Sequence, residues 1–298
     1  MIGIYAGTAG VAGGTTRLAM TYNGLTLNSP SDTLGGATGP DTYEINTVAG
    51  LTAFDYLSEI NQQRDGLEVY PFRKVSRIVT LRGIIRAPSV AKLHDKIKAL
   101  ANAFDPAKIG HDNASNPFLA FDFDVPTTDT ANYATGLVPS RYYALPMRVP
   151  DPVIDYAVGY TASFDIVLLM RDPRRYLQTA ATQVGAATIA NSKADYRSWP
   201  TLTITMAGAG SAAYAYTNNP ALAGIATSTL TLDLSGMALN DVVVVDMERR
   251  TITKNGTATP SLYVSGNYFE IEPGDNVVSI ANATNATSSL SFRPAFSI

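Results

Sequence analysis

The sequence predicts a mainly β chain of two domains: an N-terminal β-sandwich or split-barrel domain with one α-helix, followed by an antiparallel β-sandwich. Three observations predict it. The C-terminal third reads as repeated hairpins: Val242 to Val245 is a β-branched run, Asn255-Gly256 favours the positive φ angles of a tight turn, and Pro273-Gly274 sets up another before Val277, Val278 and Ile280. Only one stretch, Leu93, Ile97, Leu100 and Phe104, repeats at strong helical spacing. The chain has 298 residues, against roughly 100 to 200 for a usual domain, so two cores are expected.

In chain order, Met1 to Thr16 is rich in Gly, Ala and Thr and reads as a flexible opening. Leu18, Met20 and Tyr22 then alternate with polar residues up to Asn23-Gly24, which predicts a hairpin reaching Leu27. Ser29 to Pro40 combines Pro, Ser, Asp and repeated Gly, with too little apolar surface to offset ordering, and reads as a loop. Arg64-Asp65-Gly66 separates Phe54 to Ile60 from a strand over Leu67 to Tyr70. In Arg77 to Arg86, Ile78, Thr80, Arg82 and Ile84 face one way and Val79, Leu81, Gly83 and Ile85 the other. Pro88-Ser89 opens the helix, with Ser89 placed to accept from its first free amides, and Asp105-Pro106 ends it.

Strands follow at Phe118 to Phe123, Tyr142 to Val149 and Ala162 to Met170, with a Pro- and Thr-rich connection over Val125 to Pro139. Asp172-Pro173-Arg174-Arg175-Tyr176 closes this half. The Ala-, Thr-, Gln- and Gly-rich run after it has little to bury, so the expected division is a domain over residues 1–178, a linker over 179–195 and a second domain over 196–298. The second half starts at Trp199-Pro200 with Leu202, Ile204 and Met206. It has no amphipathic run long enough for a helix, which leaves two packed antiparallel sheets.

Composition excludes several function classes. Charged residues are 16 % of the chain against a usual ~25 %, which suits surfaces that become interfaces. A net charge of −3 with no Lys/Arg block offers no grip on a phosphate backbone, so specific nucleic-acid binding is not expected. The absence of cysteine rules out disulfides, thiolate metal sites and cysteine nucleophiles. The N-terminus lacks the cationic start and apolar core of a signal peptide, and no apolar run approaches the ~20 residues of a membrane span.

The catalytic inventory is thin, and no enzyme activity, metal or cofactor is expected. Asp122 and Asp124 share one strand face, as glycosidase or cation-binding carboxylates do, but a solvated strand end is the simpler reading. Asp246 and Glu248 read as a hairpin edge, with Asp246 pairing to Arg249 or Arg250. His94 and His111 are the two histidines. His94 sits beside the apolar stripe as a partly buried or interface residue, with no second ligand at helical spacing. No Gly-x-Ser-x-Gly nucleophile elbow occurs. Trp199, Tyr214, Tyr216, Tyr263 and Tyr268 are candidate sugar-stacking rings, with Trp199 and Tyr268 foremost; core packing is the competing account for all five.

Three segments together resemble a family. Arg77 to Ile85, followed through Pro88-Ser89 by the helix with Leu93, Ile97 and Leu100, looks like the N-terminal domain of the distal tail proteins of long-tailed phages. Asp172-Pro173-Arg174-Arg175-Tyr176 resembles the segment that ends that domain. Trp199-Pro200-x-Leu202 with Val245-Asp246, Arg249-Arg250, Asn255-Gly256, Phe269, Pro273-Gly274-x-Asn276 and Val278 resembles its galectin-like C-terminal domain. The chain departs from the family at Met1 to Gly14 and at Ser29 to Pro40, and it has no insertion large enough for a receptor-binding arm.

The resemblance implies a structural virion protein at the phage tail tip, made in the host cytoplasm. It implies a homo-hexameric ring around the DNA channel, joined to the tail tube protein and to a tail-tip hub protein, with the tape measure and receptor-binding proteins as further neighbours. The assembly residues it points to are Arg82, Arg86, Asp172, Arg174, Arg175 and Tyr176, although Asp172-Pro173 also reads as a strand-ending turn with Tyr176 covering the first core. In such a protein the sequons at Asn255, Asn282 and Asn285 are turns and nothing more. The other readings are a carbohydrate-binding host-recognition protein, a tail tube protein and a polysaccharide hydrolase. Galectin-like shape alone does not confer sugar binding, since the second half has no histidine.

Overall fold

The computed structural model describes residues 9–11, 14–16, 20–27, 42–55, 58–60, 67–69, 73–114, 116–129, 131, 133–155 and 159–296. The loop expected at Ser29 to Pro40 and the turn at Arg64-Asp65-Gly66 lie outside these residues. The chain is mostly β and divides into two compact units, one ending at Arg175 and the other beginning at Tyr176.

The first unit runs β1 (Ala9–Val11), β2 (Gly14–Thr16), β3 (Met20–Tyr22), β4 (Leu25–Leu27), β5 (Thr42–Asp55), β6 (Ser58–Ile60), β7 (Leu67–Val69), β8 (Arg73–Arg86), α1 (Val90–Ala103), α2 (Pro106–Asp112), β9 (Leu119–Pro126), β10 (Leu137–Pro146), β11 (Val153–Asp155) and β12 (Thr161–Met170). Its main sheet has the order β4-β3-β9-β10-β12-β8-β5, with β11 on β12, and β4 approaches β5 so that the sheet nearly closes on itself. β1 pairs with β2 within the stretch read as a flexible opening. Asn23 and Gly24 take the expected positive φ angles, 45° and 77°, at the β3–β4 turn.

β8 pairs with β12 through Arg77↔Met170 and with β5 as far as Arg73↔Asp55, so the last pairs of the β5–β8 ladder form a two-stranded ribbon. The sequence reading missed most of β5. A bulge at Asn46 shifts its register between Ile45 and Thr47, which breaks the period-2 alternation that marks a strand.

α1 begins as expected, the Ser89 hydroxyl accepting from the Lys92 amide at 3.3 Å. Asp105-Pro106 does more than end it. The Asp105 carboxylate accepts from the amides of Ala107 and Lys108, and Pro106 occupies the first turn of α2. An Asp cap followed by Pro is a helix start, so the expectation of one helix is corrected to two. The helices cover the face carrying Val79, Leu81 and Ile85. There Tyr22 stacks on Phe104 with ring centroids 4.8 Å apart, and Phe121, Phe123 and Tyr142 continue the aromatic row. Each large side chain fully buried here contributes about 1.5–3 kcal/mol. Tyr22 keeps its hydroxyl satisfied by donating to the Ala144 carbonyl at 3.0 Å, and burial pushes its phenol well above the ordinary range.

The second unit runs β13 (Arg175–Leu177), β14 (Ala181–Val184), β15 (Thr188–Asn191), β16 (Thr201–Met206), β17 (Tyr214–Pro220), β18 (Ser228–Leu232), β19 (Val242–Asp246), β20 (Thr251–Lys254), β21 (Thr257–Ala258), β22 (Tyr263–Gly266), β23 (Gly274–Ala281), β24 (Ala286–Phe292) and β25 (Ala295–Phe296), with a single 3-10 turn at Pro260–Leu262. Two antiparallel sheets, β14-β24-β16-β19-β20-β21 and β15-β23-β17-β18-β22, bury Leu202, Ile204, Val243, Val245 and Leu290 against Tyr214, Tyr216, Leu230 and Leu232. The stretch read as a linker, residues 179–195, contains β14 and β15, one edge strand for each sheet. Their small and polar residues are what an edge tolerates, and they look like a linker when the partner strands are not visible.

Between β22 and β23 the chain crosses from edge to interior, and three buried asparagines hold it. Asn191 Nδ2 donates to the Glu272 carbonyl, Asn218 Nδ2 to that of Glu270, and Asn276 Nδ2 to those of Glu272 and Gly274, while Asn276 Oδ1 accepts from the Glu272 amide. These amides satisfy backbone groups along the crossing segment.

Candidate functional site

The outer face of the first sheet carries Ile78, Thr80, Arg82, Ile84 and Arg86 of β8, opposite the helix-covered face, as the alternation predicts. Its charges are arranged in cross-strand pairs. Arg86 Nε lies 3.2 Å from the Glu44 carboxylate. Arg82 stands directly opposite Asp165 in the β8–β12 register, and Asp165 also accepts from Arg148. Arg141 meets Asp122 through both Nε and Nη2, at 2.5 and 2.6 Å, across the β9–β10 pair. A forked guanidinium–carboxylate contact of this kind fixes geometry as well as charge.

Asp122 and Asp124 do share a face, but Asp122 is taken up by Arg141. Asp124 is raised above the usual carboxylate range by burial and then by the charge of Asp122. Among the described residues no three His, Cys, Asp or Glu side chains are grouped to hold a metal ion. His94, read as a partly buried or interface residue, is exposed on α1, off the stripe of Leu93, Ile97 and Leu100, which leaves the interface alternative. His111 is exposed at the end of α2, with Nδ1 3.0 Å from Asp112 Oδ1.

The segment Asp172 to Tyr176 is bound to its own chain. Asp172 Oδ1 accepts from the Arg174 amide at 3.0 Å and from its Nε at 2.9 Å, and Oδ2 lies 2.7 Å from Arg174 Nη2. Arg175 reaches the buried Ser140 hydroxyl at 3.5 Å, and Tyr176 is buried. This is the geometry of a strand-ending turn that clasps its own arginine. A polar recess of about 350 Å³ lies between the β3–β4 turn and the two helices, lined by Asn23, Asn102, Lys108 and Asp112. Two amides beside it serve the helix ends: Asn23 Nδ2 donates to the Ala103 carbonyl and Asn113 Nδ2 to that of Ile109.

In the second unit, Asp246 Oδ1 accepts from the Arg249 amide at 2.9 Å and its Oδ2 lies 3.8 Å from Arg249 Nε, the expected hairpin pairing. Asn282 and Asn285, both at positive φ, donate to the Ala213 and Ala209 carbonyls, as turn residues do. Asp241 is held by three neighbours. It accepts from the Ala238 amide and from Asn255 Nδ2 and lies 2.7 Å from Lys254 Nζ, contacts that hold it down to about 2.

Of the candidate stacking rings, Tyr214 and Tyr216 are in the core and Trp199 is partly buried against it. Tyr268 is likewise packed on the core, and Tyr263 lies over it with ring centroids 6.0 Å apart and planes within 8°. Burial, and secondarily Tyr263, pushes the Tyr268 phenol up, while Arg250 opposes the shift. The exposed ring is therefore Tyr263, which the residue types alone did not separate from the others.

Residues 193–296 match the family model described as the siphovirus-type tail component, C-terminal domain. The resemblance to distal tail proteins is borne out. Among solved structures the chain is similar to the distal tail protein of phage SPP1, described as a paradigm of the hub adsorption apparatus in phages infecting Gram-positive bacteria. That likeness has a TM-score of 0.59 and 13 % identity, over 94 % of this chain and 99 % of that one, and it shows a shared fold with that distal tail protein. A chain of the phage P2 baseplate in its activated conformation with Ca gives a TM-score of 0.47 at 10 % identity, over 92 % and 97 % of the two chains. No curated protein matches.

Proposed function

We propose that the chain is a structural hub protein of a phage tail, working by self-assembly and adaptor binding and not by turnover. The observation that carries this reading is the match of residues 193–296 to a tail-component domain, which the fold shared with the SPP1 distal tail protein supports. In this reading the protein forms a homo-hexameric ring at the tail tip. The first unit surrounds the DNA channel. The tail tube protein is bound on one side and the tail-tip hub protein on the other, with the tape measure and receptor-binding proteins as neighbours. The arrangement of charge supports a conduit. Guanidinium groups already held by carboxylates, as Arg86, Arg141 and Arg148 are, offer passing phosphates little net charge to hold.

Negative-stain electron microscopy with multi-angle light scattering on the purified chain tests the proposal. Closed sixfold rings are expected. Long open tubes would indicate a tail tube protein instead, and a particle that stays monomeric at every concentration, with or without the tail tube protein, would overturn the ring.

A further inference from the structure

β14 ends the β14-β24-β16-β19-β20-β21 sheet and, among the described residues, pairs with β24 alone. The Gly185 amide donates to the Ser288 carbonyl, so in this antiparallel pair Ala181, Gln183 and Gly185 turn their backbone groups toward β24, and Thr182 and Val184 turn theirs away. Both outward residues have exposed side chains, and Val184 is 61 % exposed. The Val184 carbonyl is served by a side chain: Gln183 Nε2 donates to it at 2.8 Å, where the N–H of a further strand would stand.

Strand edges are ordinarily guarded against pairing by charge, proline, a bulge or shortness. The other edges of the two sheets show such devices. β21 is two residues long, β18 meets β22 through a register shift between Thr231 and Leu232, and β15 runs on into Lys193 and Asp195. From Tyr176 to Ser192 the chain has no Lys, Arg, Asp, Glu or Pro, so β14 is guarded by neither charge nor proline.

Backbone donors and acceptors at ladder spacing fit one kind of occupant, another extended strand. The residues around them favour a second copy of β14. Antiparallel self-pairing with a two-fold axis at Gln183 sets Thr182 against the partner's Val184 and Val184 against the partner's Thr182, each pair exchanging both N–H···O bonds. It also sets Gln183 opposite the partner's Gln183, where amide can bond amide. Like residues then meet around the axis, an arrangement that charged side chains would penalise and these do not. Beside Thr182 and Val184, β24 carries Ser291 and Ser289, small side chains that raise no wall to select a foreign residue.

We propose that the second unit associates with a second copy of itself through β14, joining the two β14-β24-β16-β19-β20-β21 sheets edge to edge. The contact uses no residue of the first unit and does not rest on the hub reading.

The test is light scattering of the full chain over a wide range of concentration, with cysteine cross-linking at the axis. The parent particle is expected to double in mass as concentration rises, and Arg82→Glu, in the first unit, to leave that doubling in place. Val184→Pro removes an N–H that β24 does not use, so it should melt with the parent and no longer double; Val184→Lys should do the same by repulsion. The chain has no cysteine, so Gln183→Cys reports on its own copy: mild oxidation should cross-link it at least about tenfold faster than Ala226→Cys, on an exposed loop of the same unit. A parent mass that stays constant at every concentration overturns the proposal, as does a Gln183→Cys protein that cross-links no faster than Ala226→Cys. Doubling that survives both Val184→Pro and Val184→Lys but is lost in Arg82→Glu would assign the contact to the first unit and overturn it equally.

Discussion

A Cβ placed on Gly83 would stand 2.1 Å from the carbonyl oxygen of Glu44, the neighbouring strand's backbone. On the same side the Phe164 ring edge would be 2.8 Å away, filling the space that the glycine leaves. The close approach coincides with the β5 bulge, and the glycine is what lets β5, β8 and β12 pack there. Gly83→Ala has no way to relax without moving backbone. It is expected to cost about 3 kcal/mol or more of first-unit stability, at the upper end of overpacking effects. Urea unfolding followed in that unit measures it, and a loss below about 1 kcal/mol would show that β5 shifts easily.

Asp241 gives the second unit an acid-sensitive clasp. Its folded value, about 2, lies below its unfolded value near 3.9, so the carboxylate form is favoured in the fold. The stabilisation is therefore complete above about pH 4 and is lost as pH falls toward 2. Asp241→Asn should unfold at lower temperature than the parent at pH 7, and the difference should shrink toward pH 2. Parallel melting curves across that range would refute the assignment.

β14 and β15 make the start of the second unit indispensable. A fragment over residues 196–298, the boundary that composition suggests, lacks both edge strands, whereas a fragment over 176–298 keeps them. The shorter fragment is expected to melt well below the longer one and to aggregate through its bared edges. Circular dichroism melts and light scattering compare the two, and equal behaviour would mean that the edges are dispensable.

Arg82 separates assembly from folding. It is exposed on the uncovered face, opposite Asp165 in the ladder. Arg82→Glu should leave the melting temperature within about 2 °C, since exposed charges contribute little to stability. If this face meets another subunit, it should shift the light-scattering mass toward monomer. An unchanged mass would remove Arg82 from the assembly surface.

What was legible in the sequence is what neighbouring residues decide among themselves. Ser89 caps α1 within three residues, Asn23-Gly24 and Asn255-Gly256 turn their own hairpins, and Asp246 pairs with Arg249 across one turn. What was not legible depends on distant partners or on phase. β5 was hidden by the single unpaired residue Asn46, and β14 by having its partner in Ser289 to Phe292. α2 was missed because Asp105-Pro106 was read only as a stop, although the same pair is a start signal. For the candidate ring, aromatic character could be read but layering could not. Whether Tyr263 lies over Tyr268 or beneath it is decided only when β22 takes its place at the sheet edge.

The pairing of β14 with β24 also orders events during synthesis. Val184 waits for Ser289, more than a hundred residues later, and Thr188 waits for Val277. Neither sheet of the second unit can be completed on the ribosome until nearly the whole chain has emerged. Strands β3 to β12 pair among themselves within residues 20–170 and have no such wait. A truncated product would thus carry these strands already paired and an open, adhesive second unit. Only full-length chains would reach the assembly pool with every strand edge that the fold can close already closed.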